Sequence, residues 1–192
     1  MIMARYILAS QSPRRKQLLQ WAEIDFEIIT AHSNEDYPPE LSPQEVAIHI
    51  AQHKAKAVLD KINDYRTIIA ADTIVVFKNE IIGKPNDRDQ AISILKKLSG
   101  NHHQVITGVC IINALKEISF ADKTDVEFHQ LTSEQIEFYI DKYRPYDKAG
   151  AYAIQEWIGV TGIKSVNGDF YNVMGLPVSR VVQALKDFAP NS

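Results

Sequence analysis

The chain has 192 residues, 45% of them apolar, which is enough to form an ordinary packed core in one domain or one domain with two lobes. Its formal charge of -3 argues against nucleic acid as a partner, because binding to backbone phosphates normally needs a net basic face. No apolar stretch approaches the ~20 residues that cross a bilayer, and residues 1–10 lack the apolar core of a signal peptide, so we expect a cytoplasmic protein. The single cysteine, Cys110, lies in an apolar run and is predicted to be core, which excludes a disulfide framework and a cysteine-based zinc site.

Short apolar runs alternate with amphipathic helical patterns along the chain, which predicts an α/β fold with a largely central sheet. The predicted strands lie, in chain order, at residues 5–9, 26–30, 67–77, 81–82, 104–114 and 118–128, and the last two are expected to pair as a hairpin about 115–117. Helices are predicted from Pro13 after the N-cap Ser12, from a capping box at 42–45 to about 62, at 88–98, after a second capping box at 132–135, and at 177–188. The glycine-bearing stretch 150–175 is predicted to consist of loops and short strands.

Two adjacent arginines, Arg14 and Arg15, stand in the first turn of the first predicted helix. The backbone at a helix N-terminus already presents positive charge, so bare cations there are locally unfavourable. We therefore expect a negatively charged group to lie among them.

Two further charged residues occupy positions where a core residue belongs. Lys54 falls near the centre of the apolar arc of the second predicted helix, whereas Lys56 projects to the opposite, solvated face. Asp72 interrupts the apolar strand at 67–77, where an ionised carboxylate is costly unless it is paired or bound to a metal. The alternatives are a Lys54 ammonium that reaches water past the helix edge, and an Asp72 held in a structural salt bridge or a bulge.

Three other polar residues are weak signals when each is taken singly. Glu35 lies in a polar loop at 32–39, where acidic residues are usually solvated, and only one of Glu35 and its neighbour Asp36 need face a site. Lys84 stands between a glycine and a proline that fix the backbone at a strand end and aim its side chain. Gln155 ends an apolar run, where its amide can read a base edge or cap a loop.

Taken together, these positions supply four cations, two carboxylates and one amide: Arg14, Arg15, Lys54, Lys84, Glu35, Asp72 and Gln155. This inventory suits a triphosphate with a divalent metal, because carboxylate oxygens hold Mg²⁺ or Mn²⁺, guanidinium groups grip phosphate oxygens and lysines act as point charges. We therefore expect Asp72 and Glu35 to be the metal ligands.

Other motifs are less persuasive. A P-loop is excluded because Pro85 follows Gly83-Lys84, and no Gly-x-Gly-x-x-Gly follows the first strand. The adjacent residues His102 and His103 are predicted to be polar surface residues and not metal ligands. The tyrosines of the fourth helix and its exit are predicted to serve packing, in the core or of a lobe: Tyr139, Tyr143 and Tyr146.

Six motifs together resemble the Maf family of nucleotide pyrophosphatases, over nearly the whole chain and in the expected order: SQSPRRKQLL, KAKA, AADT, GKP, DKAGAYAIQ and YNVMGLPVSR. The resemblance implies hydrolysis of a nucleoside triphosphate between its α- and β-phosphates, with a divalent cation, to a monophosphate and pyrophosphate. It also implies one domain over residues 1–192, with an α/β fold shared with inosine triphosphate pyrophosphatases. In that fold a central mixed sheet is flanked by helices, two lobes surround a cleft, and a homodimer is common.

The resemblance also assigns roles to residues of this chain. Asp72 matches the acidic residue treated as the proton acceptor for the attacking water, and Glu35 matches a second active-site carboxylate. The matching basic residues around the phosphates are Arg14, Arg15, Lys54 and Lys84. The positions associated with substrate choice are Arg14, Thr73 and Gln155.

The subfamily that acts on dTTP and UTP resembles this chain at Ala71-Asp72-Thr73 and at residues 148–155, whereas the 7-methyl-GTP subfamily typically shows Ser-Asp-Gln and a Cys-Ala-Gly segment at these places. One departure is Asp147, where many members have glycine. Two alternatives stay open: a 7-methyl-GTP pyrophosphatase, and a regulator of septum formation that senses a nucleotide without turnover. Modified pyrimidine nucleotides are further candidate substrates, and pool cleaning or cell-division arrest is the expected purpose.

Overall fold

In the computed structural model, the described part of the chain comprises residues 5–62 and 64–188. Its strands are β1 (Tyr6–Leu8), β2 (Phe26–Ile28), β3 (Thr67–Phe77), β4 (Glu80–Ile82), β5 (His102–Ile112), β6 (Glu117–Phe128) and β7 (Ile163–Asn167). Its α-helices are α1 (Pro13–Trp21), α2 (Pro43–Leu59), α3 (Arg88–Leu98), α4 (Ser133–Tyr143), α5 (Trp157–Gly162), α6 (Phe170–Met174) and α7 (Val178–Leu185). Two short 3-10 turns cover Ala149–Ala151 and Lys186–Phe188.

The strands form a mixed sheet in the order β2-β1-β3-β5-β6-β7, with β4 paired to β3. β1 runs parallel to both β2 and β3, whereas β4 is antiparallel to β3 and β7 is antiparallel to β6. The predicted α/β class with a mixed sheet is therefore confirmed. None of the helices in the described ranges is long and apolar enough to cross a membrane.

The chain divides into two compact units. The first unit contains the residues up to Asp72, Thr107–Asp122 and the residues from Gly175 onward, and the second contains Thr73–Ile106 and Lys123–Met174. The chain therefore passes from one unit to the other within β3, within β5, within β6 and between Met174 and Gly175.

In the first unit, α2 packs against the sheet at close range. A Cβ atom added at Gly108 of β5 would lie 2.1 Å from the carbonyl carbon of Ala47, so only a glycine lets the helix backbone approach the strand this closely. The core between them consists of small and branched side chains from β1 and the residue after it, α2, β3 and β5: Ile7, Ala9, Ala51, Ala55, Val58, Ile68, Ala70, Cys110 and Ile112. The predicted core position of Cys110 is confirmed, and burial raises the pKa of its thiol to about 11.

In the second unit, the prediction of loops and short strands at 150–175 is partly wrong, because α5 and α6 lie there beside β7. The glycines of α5 serve packing and do not break the helix. A Cβ atom added at Gly159 would lie 1.8 Å from the carbonyl oxygen of Ile154, so the residue allows a close approach of backbone to backbone. This requirement depends on the fold and leaves no periodic pattern in the sequence.

The prediction that both histidines of the 102–103 pair lie at the surface is wrong for His103. Both belong to β5, whose alternation exposes His102 and buries His103, which is 2% exposed. The Nε2 atom of His103 lies 2.7 Å from the Tyr152 hydroxyl, and its ring stacks on Phe128. Burial, and secondarily the charge of His102, lowers the pKa of His103 to about 4.

We expect this histidine to make the protein less stable in acid. Unfolded histidine titrates near its ordinary pKa of 6.5, so the unfolded chain binds an extra proton between pH 6.5 and 4, and the free energy of unfolding falls as the pH falls through this range. A pKa shift of this size lowers the free energy of unfolding by about 3 kcal/mol when the pH falls through the whole range. Urea unfolding at pH 7 and pH 4.5 should show a smaller loss for His103→Gln than for the wild type. His102→Gln, at the exposed neighbour, should keep most of the wild-type loss, because the charge of His102 is only the secondary cause of the shift, and equal losses in all three proteins would contradict the assignment.

Candidate active site

Strand and helix periodicity bring Asp72 and Lys54 together. Ile68 and Ala70 of β3 point into the core under α2, and Asp72, two residues further along, continues the same face. On α2, Lys54 lies one turn from the buried residues Ala51 and Val58. The Lys54 ammonium lies 2.6 Å from Oδ1 of Asp72. The charged residue on the apolar helix face and the charged residue in the apolar strand therefore form an ion pair.

The loop after β2 adds a second carboxylate to the same ammonium. Oε1 of Glu35 lies 2.8 Å from the Lys54 nitrogen. The neighbouring Asp36 has a different contact, because its carboxylate accepts a hydrogen bond from the side-chain amide of Asn34 at 2.8 Å. Lys54 and Asp72 are 20% and 16% exposed, and Glu35 is 56% exposed, so the group is open to water at the Glu35 side.

Arg15 lies within the electrostatic reach of these carboxylates. The Ser12 hydroxyl accepts from the backbone N–H of Arg15 at 3.5 Å, which caps α1 as predicted. The guanidinium donates from Nε to the carbonyl oxygen of Gly175 at 2.8 Å and from Nη1 to the Ser10 hydroxyl at 3.2 Å. Burial lowers the pKa of Arg15, while the charges of Asp72 and Glu35 act in the opposite direction.

Arg14 is partly buried beside Arg15, and its charge also lowers the pKa of Arg15. With Arg14 included, three cations and two carboxylates of the first unit act on one another, which leaves a net charge of +1 if all are ionised: Arg14, Arg15, Lys54, Glu35 and Asp72. Asp72 and Glu35 place negative charge near these arginines, and the triphosphate expected among them stays a prediction. A cluster with an excess of positive charge can still attract an anion.

The remaining predicted site residues belong to the second unit. Thr73 is partly buried in β3, whereas Lys84 and Gln155 are exposed. The backbone N–H of Gly150 donates to the carbonyl oxygen of Gly83 at 3.2 Å, which joins the turn at 149–151 to the residue before Lys84. The roles assigned to these three residues stay predictions.

The sequence reasoning missed two contributors to the first-unit cluster. Ser10 is buried, and its hydroxyl accepts from the backbone N–H of Ser12 as well as from Arg15, both at 3.2 Å. Ser10 could have been identified from its position, because it directly follows a predicted strand and precedes the N-cap of α1 by two residues. Gly175 lies 160 positions from Arg15 in the sequence and contributes only its backbone carbonyl oxygen. No side-chain pattern could have predicted this contact.

Among residues 5–62 and 64–188, no three His, Cys, Asp or Glu side chains are grouped in a way that could hold a metal ion. Asp72 and Glu35 nevertheless both direct carboxylate oxygens at one nitrogen atom. Two carboxylates are a typical protein contribution to Mg²⁺, whose other ligands are waters and substrate phosphates. The donor set therefore fits a hard divalent cation held jointly by protein and substrate.

The fold and the charged side chains define an α/β protein with a cluster of cationic and acidic residues in its first unit. The sequence profile of one family, described as Maf-like protein, matches residues 5–188, and the chain belongs to this family. A dTTP/UTP pyrophosphatase from Cytophaga hutchinsonii is 51% identical over 180 residues, which are 94% of this chain and 82% of that protein. A dTTP/UTP pyrophosphatase from Parabacteroides distasonis is 46% identical over 185 residues, which are 96% of each chain.

Among solved structures, a HAM1 protein from Coxiella burnetii matches with a TM-score of 0.49 and 13% sequence identity. The match covers 96% of this chain and 100% of that chain.

Proposed function

We propose that this protein is a nucleoside triphosphate pyrophosphatase that hydrolyses dTTP and UTP to the monophosphate and pyrophosphate. The observation that carries the proposal is the Lys54 ammonium, which contacts both Asp72 and Glu35. Both carboxylates also interact electrostatically with Arg15. Relatives that are 43–51% identical and carry the name dTTP/UTP pyrophosphatase support the choice of substrate. We also propose that residues 1–192 act as one domain and that the working form is a homodimer.

In the proposed reaction, Asp72 is the general base. Lys54, 2.6 Å away, orients the carboxylate, and one of its oxygens accepts a proton from the attacking water. The water oxygen bonds to the α-phosphorus while the bond from that phosphorus to the bridging oxygen breaks, and pyrophosphate leaves. The negative charge that develops on the leaving group is stabilised by the basic residues: Arg14, Arg15, Lys54 and Lys84.

A divalent cation, Mg²⁺ or Mn²⁺, would be held by Asp72 and Glu35. When bound, it supplies charge neutralisation on the phosphate oxygens. Glu35 is the more exposed of the two ligands and lies in a loop, so its position can adjust to a triphosphate.

The direct experiment is pyrophosphate release by the purified protein with Mg²⁺ or Mn²⁺ across a nucleotide panel: dTTP, UTP, CTP, dCTP, GTP, 7-methyl-GTP and ITP. We expect release from dTTP and UTP. Release from 7-methyl-GTP alone would replace this function with that of the rival subfamily. Tight nucleotide binding without release from any member of the panel would instead identify a nucleotide sensor.

Gln155 and Thr73 are proposed to select the pyrimidine. A side-chain amide can pair with both a carbonyl oxygen and an imide N–H, which uracil and thymine share and cytosine does not. We expect Gln155→Ala to lower kcat/KM for UTP by about tenfold or more, with little effect on CTP, because a site built to hydrogen-bond its substrate discriminates strongly. Comparable kcat/KM values for UTP and CTP in the wild type would contradict this role.

A further inference from the structure

A network of hydrogen bonds and an ion pair joins α4 to the segment that carries Gln155. It consists of Tyr139, Lys148 and Glu156, here called the Tyr139 network, and all three belong to the second unit. The hydroxyl of Tyr139 donates to Oε2 of Glu156 and accepts from the backbone N–H of Ala153 at 3.2 Å. The Lys148 ammonium lies 3.6 Å from Oε1 of Glu156. The network therefore ties α4 to both ends and the middle of residues 148–156.

The three side chains of this network differ in burial, and the Glu156 side chain is 21% exposed. Tyr139 is fully buried and Lys148 is 8% exposed, and the ammonium of Lys148 also contacts Asp147 at 2.8 Å. Burial of an ion pair costs desolvation that its attraction often fails to recover, so such a pair is weak evidence for a contribution to stability. A role in fixing one local conformation accounts better for its presence.

The segment between Lys148 and Glu156 has a backbone conformation that must be stabilised by contacts with its surroundings. Gly150 and Ala151 both have positive φ angles, of 72° and 58°. The left-handed region costs a residue with a Cβ about 1 kcal/mol, so Ala151 keeps this conformation only because its surroundings enforce it. The segment ends at Gln155, which is exposed and directly precedes Glu156.

We propose that Tyr139, Lys148 and Glu156 are positioning residues that hold the amide of Gln155 in the orientation that selects uracil and thymine over cytosine. This inference rests on the proposed function. It also gives the lysine of the DKAGAYAIQ motif a role that the general reaction chemistry does not supply. The network acts on base selection through Gln155 and leaves the phosphate chemistry of Asp72 intact.

The test is a double-mutant cycle between Tyr139→Phe and Gln155→Ala, read as kcat and KM for UTP and for CTP. Tyr139→Phe keeps the ring and removes the hydroxyl that contacts Glu156 and Ala153. We expect it to raise KM for UTP about tenfold with little change in kcat, and to lower the UTP to CTP ratio of kcat/KM by a similar factor. In the Gln155→Ala background the same change should have almost no further effect, because the residue through which it acts is gone.

Tyr143→Phe is the matched control. Tyr143 lies one turn further along α4, and its ring stacks on that of Tyr139 with centroids 5.0 Å apart. We expect this variant to keep the wild-type UTP to CTP ratio. If Tyr139→Phe does not fold, Glu156→Gln replaces it in the cycle, because the amide oxygen still accepts from Tyr139 while the charge that faces Lys148 is removed.

The outcomes separate the two proposals. A wild type that hydrolyses UTP, combined with additive losses in the cycle or equal losses on UTP and CTP, would overturn the positioning role and leave the proposed function standing. A wild type that releases no pyrophosphate from dTTP or UTP would overturn both. A non-additive cycle with a reduced UTP to CTP ratio supports the positioning role.

Discussion

Asp72→Asn is expected to lower pyrophosphate release from UTP by about 10²- to 10⁴-fold, the usual contribution of a general base. The amide has the size of the carboxylate but cannot accept the proton of the attacking water. We expect the fold to survive, because Lys54 keeps Glu35 as a partner at 2.8 Å. Steady-state kinetics and a thermal melt of the same preparation measure the two effects separately.

The matched control for this variant is Glu117→Gln in the same unit. Glu117 pairs with Lys56 at 3.6 Å on the solvated side of α2, so loss of its charge should leave turnover unchanged. Turnover of Asp72→Asn equal to that of the wild type would remove Asp72 from the mechanism. A large fall in melting temperature together with lost activity would instead favour the alternative role of Asp72, that of a structural salt bridge.

Lys54→Met is expected to produce the second large effect, a loss of kcat/KM for UTP of about 10²-fold or more, seen in both kcat and KM. The substitution retains the apolar stem but removes the ammonium that Asp72 and Glu35 share. The net charge of the first-unit cluster falls from +1 to 0, since two cations would face two carboxylates. Binding of a polyphosphate and stabilisation of its leaving group should both weaken.

Lys56→Met provides the comparison on the same helix. Its side chain is 53% exposed and its ammonium lies 3.6 Å from Glu117, and exposed pairs of this kind contribute under about 1 kcal/mol to stability. We expect its kinetics to match the wild type. Equal losses in Lys54→Met and Lys56→Met would mean that helix charge in general, and not the position of Lys54, explains the effect.

The pairing of Lys54 with Asp72 could be predicted because the pattern that marks each residue lies within a few neighbouring positions of the sequence. Helical periodicity places Lys54 on the buried face of α2, and the apolar run of β3 marks Asp72 as misplaced unless it has a partner. The same local reasoning failed for His103 because β5 was predicted to begin two residues late. With the strand starting at His102, alternation alone exposes one histidine and buries the other.

Other features depend on contacts between distant residues and have no local pattern. The Gly175 carbonyl meets Arg15 across 160 positions. Tyr139 was expected only to pack, and its hydroxyl contacts become visible once α4 and residues 148–156 are folded together.

The most direct test of the central claim is hydrolysis of UTP in ¹⁸O-labelled water, with mass spectrometry of both products. Attack of water at the α-phosphorus predicts one ¹⁸O atom in UMP and none in pyrophosphate. Label in the pyrophosphate would place the attack at the β-phosphorus and contradict the account. Release of UDP and orthophosphate would likewise show that the protein cleaves a different phosphoanhydride bond.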